Sequence, residues 1–144
     1  MKTVMVFGTF DLLHDGHVHF LSEAKKYGDK LVVALASDSV VVRLKGRLPI
    51  DSFERRLNNL KSLDLVDDVV TGDKTPGSWG VIDSIHPDSI ALGYDQKKLA
   101  SELKVFLDRE KIPIQVFFVG PYRDKSLHSS VLRGKIRCQE DVRI

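Results

Sequence analysis

Short apolar runs rich in β-branched residues alternate along the chain with stretches in which apolar residues return every three or four positions. The runs at 3–7, 31–36, 68–71, 89–92 and 114–119 are mostly continuous in hydrophobicity, as strands covered on both faces must be. Between them Phe20, Leu21, Ala24 and Tyr27, then Phe53, Leu57 and Leu60, then Leu99, Leu103, Phe106 and Leu107 keep the spacing of one helical face. A shorter helix is predicted over 79–85 and a last one over 129–137. Asp51 followed by Glu54 has the form of a capping box ahead of the second of the long helices. Strand and helix taking turns predicts an α/β domain, five parallel strands in a three-layer, doubly wound sheet joined by right-handed crossovers. In such a sheet the ligand crevice lies outside the carboxyl ends of the strands, where strand order reverses.

Composition narrows this picture. The 144 residues are 42% hydrophobic and 29% charged, the balance of a folded soluble domain. A chain of this length buries one core without metal or disulfide staples. No linker or internal repeat divides it, so residues 1–144 are expected to form a single domain. Cys138 is the one cysteine, which excludes an internal bridge and fits a reducing compartment. With no secretory signal and no apolar stretch near the ~20 residues that span a bilayer, the expected location is cytoplasmic. The net charge of +2 argues for neither nucleic acid nor a membrane as partner. The charge is uneven, however: residues 121–144 hold six Lys or Arg against three Asp or Glu.

The first strand runs directly into Gly8-Thr9-Phe10-Asp11-Leu12-Leu13-His14-Asp15-Gly16-His17 at the start of a helix. A helix start offers unpaired N–H groups and the positive end of the peptide dipole, so the turn suits phosphate. Neither GxxxxGK[ST] nor GxGxxG is present. Instead His14 and His17 stand one helical turn apart, with Gly16 between them admitting a bulky group, so that two imidazoles face one phosphate. Moving a nucleotidyl group to a phosphate acceptor needs no protein nucleophile, only orientation and charge stabilisation at the α-phosphate. A lone histidine is more often an incidental surface or core residue, but the strand–turn–helix setting favours function. Zinc is the other chemical reading of His14, His17 and His19. His19 should point away from His17 on a helix and no cysteine is near, so no protein metal site is assigned.

GTFDLLHDGH resembles the signature of the cytidylyltransferase-like nucleotidyltransferases, which carry an HxGH motif on a Rossmann-like sheet and join a nucleoside triphosphate to a phosphorylated acceptor with release of pyrophosphate. The resemblance covers essentially the whole chain: GYDQ at 93–96 follows the fourth strand and LHSSVLR at 127–133 the fifth, as the family's other nucleotide-binding segments do. The late segment departs from the common ISTSxxR form at Leu127 and His128 but keeps Ser129, Ser130 and Arg133. Taken alone, SSVLR would read as an N-capped basic helix. Joined to HxGH, it implies two hydroxyls and a guanidinium holding the β- and γ-phosphates and the departing pyrophosphate.

The resemblance further implies His14, His17 and Arg133 as catalytic residues. It implies a nucleotide held by Thr9, Phe10, His14, Asp15, Gly16, His17, Asp95, Tyr122, Ser129 and Ser130, with the adenosine near Phe10 and the GYDQ turn. Related enzymes use a lysine and an arginine after the second strand for phosphate, and alignment puts Lys45 and Arg56 there; their spacing equally fits a solvated loop and an exposed helix face. Mg²⁺ or another divalent cation is expected to bridge phosphate oxygens, with Asp11 the nearest carboxylate to assist it or else to cap the turn. Within the family the likeness runs first to the short archaeal FAD synthases, which adenylylate FMN, and next to the glycerol-3-phosphate cytidylyltransferases. ATP and FMN are thus the expected small-molecule partners. A nucleotide sensor without turnover is the alternative of another class, and a homodimer through a sheet edge is compatible with the pattern.

Overall fold

A computed structural model describes residues 2–73, 79–94 and 96–120. In chain order the elements are β1 (Thr3–Gly8), α1 (Asp15–Lys25), β2 (Lys30–Leu35), α2 (Asp38–Lys45), α3 (Phe53–Lys61), β3 (Asp68–Thr71), α4 (Gly80–Ile85), β4 (Ser89–Gly93), α5 (Lys97–Glu110) and β5 (Gln115–Val119). The five strands form one sheet in the order β3-β2-β1-β4-β5, and every pairing is parallel. The fold is therefore the α/β, Rossmann-like, doubly wound architecture, with the predicted strands in place to within a residue at either end.

Side chains alternate across the pleat and divide the core in two. Val4 and Val6 of β1 with Leu31, Val33 and Leu35 of β2 meet Phe20, Leu21 and Ala24 of α1 and Leu60 of α3. Met5, Phe7, Val32 and Ala34 face the other way, onto Ile82 of α4 and Leu103, Phe106 and Leu107 of α5. The chain steps outward from β1 to β2 to β3 under α1 and α3, then returns to the far side of β1. A right-handed crossover can make that return only over the opposite face, which is why α4 and α5 lie there. The reversal of strand order falls between β1 and β4.

Three local expectations need correction. A helix, α2, occupies 38–45, a stretch to which the hydrophobic pattern assigns neither strand nor helix. Its three consecutive valines have poor helix propensity, but Ser37 accepts from the Val40 N–H and Gly46 closes the helix at φ +76°. The cap of α3 is Ser52, which accepts from the Arg55 N–H, and not Asp51. Tyr27 lies beyond the end of α1 and stacks on Phe117 of β5, ring centroids 4.0 Å apart. The helix expected at 129–137 lies outside the described residues.

The ladder between β1 and β4 pairs Val4 with Ser89 and Met5 with Ile90, then stops short of the carboxyl ends. Gln96, 2% exposed, spans the split: its Nε2 donates to the Phe7 carbonyl at 3.1 Å and its Oε1 accepts from the Gly93 N–H at 2.7 Å. One side-chain amide thus satisfies two backbone groups that the diverging strands leave unpaired. Gln96→Leu should lower the unfolding free energy by about 1–3 kcal/mol through those stranded groups, measured by urea denaturation. An unchanged midpoint would contradict the role.

Candidate active site

The turn leaving β1 is tightly wound. Phe10 and Leu12 both adopt left-handed backbone conformations, at φ +52° and +51°, which in residues other than glycine stores roughly 1–3 kcal/mol each. The Phe10 ring folds back under Gly8, where a Cβ would stand 2.4 Å from it, so position 8 admits only glycine. Phe10 is 2% exposed and packs near Phe20 and edge-on to His17. Its ring belongs to the core, which leaves the Phe10 backbone as the part of this residue that a nucleotide near the turn would meet. Thr9 is likewise buried, at 1% exposed.

The tightened turn delivers His14 to the N-cap of α1. Its Nδ1 accepts from the Gly16 N–H at 3.1 Å, while Nδ1 of His17 accepts from the His14 N–H at 3.3 Å. The pair forms a reciprocal capping box made of imidazoles. The two rings stack, centroids 3.7 Å apart and 26° from parallel. A Cβ on Gly16 would come within 3.0 Å of the His14 ring. The room that glycine provides is thus taken first by His14 itself.

With both Nδ1 atoms accepting, the neutral rings carry their proton on Nε2. Both Nε2 atoms are buried, and neither has a hydrogen-bond partner among the described residues. Burial holds the His14 pKa below the ordinary value, partly countered by the Asp15 carboxylate. Burial, then the neighbouring His14 and the Lys45 ammonium, push His17 down to about 2. The rings are therefore neutral N–H donors at physiological pH, not the cations that charge stabilisation first suggests. The influence of Lys45 on His17 brings the end of α2 into the same electrostatic neighbourhood.

Arg56 departs from the expectation. Its side chain is fully buried. Nη1 donates to the carbonyls of Thr9 (2.9 Å) and Ala36 (2.7 Å), Nη2 to Asp38 Oδ1 (2.6 Å) and Nε to the Asp51 carbonyl (3.2 Å). The guanidinium joins the ends of β1 and β2 to the starts of α2 and α3, and a fork so committed is a strut, not a solvent-facing phosphate ligand. Asp11, 5% exposed, accepts from the Ile50 and Asp51 N–H groups at 2.7 and 2.8 Å, fastening the histidine turn to the α2–α3 loop. It caps that loop, and both its oxygens are engaged.

Sequence reasoning missed Gln96, Asp38 and the buried state of Arg56. A signal existed for the last. Arg56 falls three after Phe53 and four before Leu60, squarely on the apolar stripe of α3, just as His17 precedes Phe20 and Leu21 by three and four on that of α1. Asp15 is exposed at the first turn of α1. Asp95, Tyr122, Ser129, Ser130 and Arg133 lie outside the described residues.

The cytidylyltransferase-like family model matches residues 5–135. The chain belongs to that family. It is 45% identical over 123 residues to an FAD synthase from Thermococcus sibiricus, covering 85% of this chain and 82% of that protein. An FAD synthase from Thermoplasma volcanium is 39% identical over 136 residues, 94% of each chain. Among solved structures, a lipopolysaccharide core biosynthesis protein from Thermoplasma volcanium GSS1 superposes with a TM-score of 0.78 at 36% identity, over 85% of this chain and 99% of that one. Pantoate-beta-alanine ligase from Francisella tularensis shares the fold alone, with a TM-score of 0.62 at 15% identity over 96% and 70% of the two chains.

Arg56→Met should lower unfolding free energy by about 2–4 kcal/mol, since it strands two buried carbonyls and the Asp38 charge; Arg56→Lys should recover less than half. A residue that touched only substrate would leave the urea midpoint in place. The histidines give a second test. In the folded chain His17 protonates near pH 2, in the unfolded chain near ~6.5. Its contribution to stability is complete above that upper value and is lost as pH falls below it, at up to about 1.4 kcal/mol per pH unit. Urea midpoints from pH 7.5 to 5 should fall less steeply for His17→Gln than for the parent chain.

Proposed function

We propose that the chain is an FAD synthase, transferring AMP from ATP to FMN with release of pyrophosphate. The observation that carries this reading is the pair of buried Nε2 atoms on His14 and His17, whose rings stack and which have no hydrogen-bond partner among the described residues. A buried N–H donor left unpaired is costly, and two at one helix start call for an acceptor that arrives from outside. Phosphoryl oxygens at the start of α1 are such acceptors. The relatives of 38–45% identity named FAD synthase supply the substrate class.

In the reaction an oxygen of the FMN phosphate attacks the α-phosphorus of ATP in line, the bond from that phosphorus to the bridging oxygen breaks, and pyrophosphate departs with the electron pair. The two Nε2–H groups meet the α-phosphoryl oxygens as negative charge grows on them. Their donors are fixed beforehand by the capping box, so little reorganisation accompanies the step. Lys45 contributes positive charge beside them. Ser129, Ser130 and Arg133 are assigned to the β- and γ-phosphates and to the leaving pyrophosphate. Asp11 is committed to backbone, and no cluster of three ligating side chains occurs among the described residues. A divalent cation arriving with the triphosphate would supply charge neutralisation at the phosphate oxygens.

Purified protein incubated with ATP and FMN should form FAD, while CTP with glycerol 3-phosphate should give no CDP-glycerol. Product in neither mixture would support the nucleotide sensor instead. His14→Ala and His17→Ala should each lower kcat by about 10²–10³, with folding verified by circular dichroism at the assay temperature. Near-normal pyrophosphate release by either variant would remove the histidines from the mechanism.

A further inference from the structure

The backbone ladders divide the sheet into two blocks. β1 stays paired with β2 as far as Gly8 and Leu35, and β4 with β5 as far as Gly93 and Val119. Among the described residues β1 and β4 share only the pairs Val4 with Ser89 and Met5 with Ile90. At the carboxyl ends the blocks are joined through the side-chain amide of Gln96, 3.1 Å from the Phe7 carbonyl and 2.7 Å from the Gly93 N–H. We propose that Gln96 is a positioning residue for the nucleotide: it sets the width of the crevice between β1 and β4, and with it the reach from the far lip of that crevice to the His14 and His17 donors. The proposal rests on the FAD synthase reading, whose nucleotide it places.

Each partner of the amide controls one lip. Phe7 is followed by Gly8, which opens the turn carrying His14. Gly93 opens the turn after β4, and Gln96 closes that turn with its own backbone, its N–H donating to the Gly93 carbonyl at 3.0 Å. The Gln96 carbonyl in turn accepts from the Ala100 N–H at 2.9 Å, in the first turn of α5. One residue therefore fixes the end of β1, the turn after β4 and the start of α5. In a doubly wound sheet a ligand lies outside the carboxyl ends of the strands where their order reverses, and here that place is the gap the amide bridges. A phosphate at the start of α1 and the remainder of the same ligand across the gap are thus held in register by Gln96.

The bridge requires an amide. It donates to one strand and accepts from the other at once, and at 2% exposed it is shielded from water that could replace either bond. A carboxylate of the same length could only accept, and would set its charge against the Phe7 carbonyl. A neutral carboxyl, with one O–H and one free oxygen, could again do both. A misplacement of about 1 Å at the reacting centre can cost roughly 10² in rate. The width of this gap therefore bears on kcat, although Gln96 itself is closed off from the reacting atoms by the strand ends it joins.

Gln96→Met should lower kcat for FAD formation about 10–10²-fold. Gln96→Glu separates placement from folding. Burial lifts the pKa of such a carboxyl to about 7–9, so the variant is mostly ionised at about pH 9.5 and mostly neutral at about pH 6. Its kcat relative to the parent should rise about tenfold or more from the higher pH to the lower, measured where urea titration shows it fully folded at both. A role confined to stability would move the urea midpoint with pH but leave kcat of the folded variant at the parent value throughout, and that result would overturn the proposal. A second readout needs no acceptor. On binding α,β-methylene-ATP, whose α–β bridge resists cleavage, the imidazole ¹⁵N resonances of His14 and His17 should move in the parent chain. In Gln96→Glu the movement should be small at the higher pH and regained at the lower. No movement in the parent, or equal movement in parent and variant at both pH values, would also overturn the proposal. No FAD from the parent, with the histidine resonances moving as expected, would overturn the FAD synthase reading and leave the placement of a nucleotide by Gln96 standing.

Discussion

Parallel strands that end at different heights leave carbonyl groups pointing into the interior, and at the ends of β1 and β2 those of Thr9 and Ala36 are claimed by one guanidinium. Arg56 reaches them from α3 and closes its remaining bonds on Asp38 and the Asp51 carbonyl. A single buried fork therefore fixes the relative heights of two strands, the start of α2 and the start of α3. Asp11 extends the connection to the turn of the histidines by accepting from Ile50 and Asp51. Because α2 carries Lys45 and the turn carries His14, this polar frame sets the distance between a cation and two imidazoles. Its role in chemistry is indirect, through placement.

The state of those imidazoles changes how the site is understood. Two histidines facing a phosphate invite the idea of positive charge. Burial and mutual proximity make that charge unaffordable, and the rings remain neutral. What they offer instead is direction. Each Nδ1 is occupied by a backbone N–H of the same turn, so each Nε2–H is held by a cap that also starts the helix. Formal positive charge in this neighbourhood comes from Lys45. Donors fixed before the reaction stabilise growing charge without having to turn toward it.

The doubly wound sheet divides the work between its faces. α1 brings the two imidazoles on one face, and a cleft beside α4 and α5 lies on the other. Between them β1 and β4 diverge, and Gln96 holds the gap in a defined geometry by bonding one group from each strand. The strand reversal thus places two differently lined regions on either side of one narrow turn.

Local patterning was enough to determine the five strands, the long helices, the parallel sheet and the family, because those depend on hydrophobic period and on a contiguous motif. The stretch from Gly8 to His17 carries its own strand end, turn and helix start, and so the pairing of His14 with His17 at that helix start was legible from its residues alone. Other features depended on partners far along the chain. The valines of α2 conceal a helix whose ends are fixed by Ser37 and Gly46, and Arg56 reads as surface charge until Thr9 and Ala36, 47 and 20 residues earlier, appear beside it. Phe10 reads as an exposed turn residue until its backbone folds the ring beneath Gly8. Whether a polar group meets solvent, a ligand or a carbonyl depends on desolvation and on groups brought together by the crossovers, and only the tertiary structure decides that.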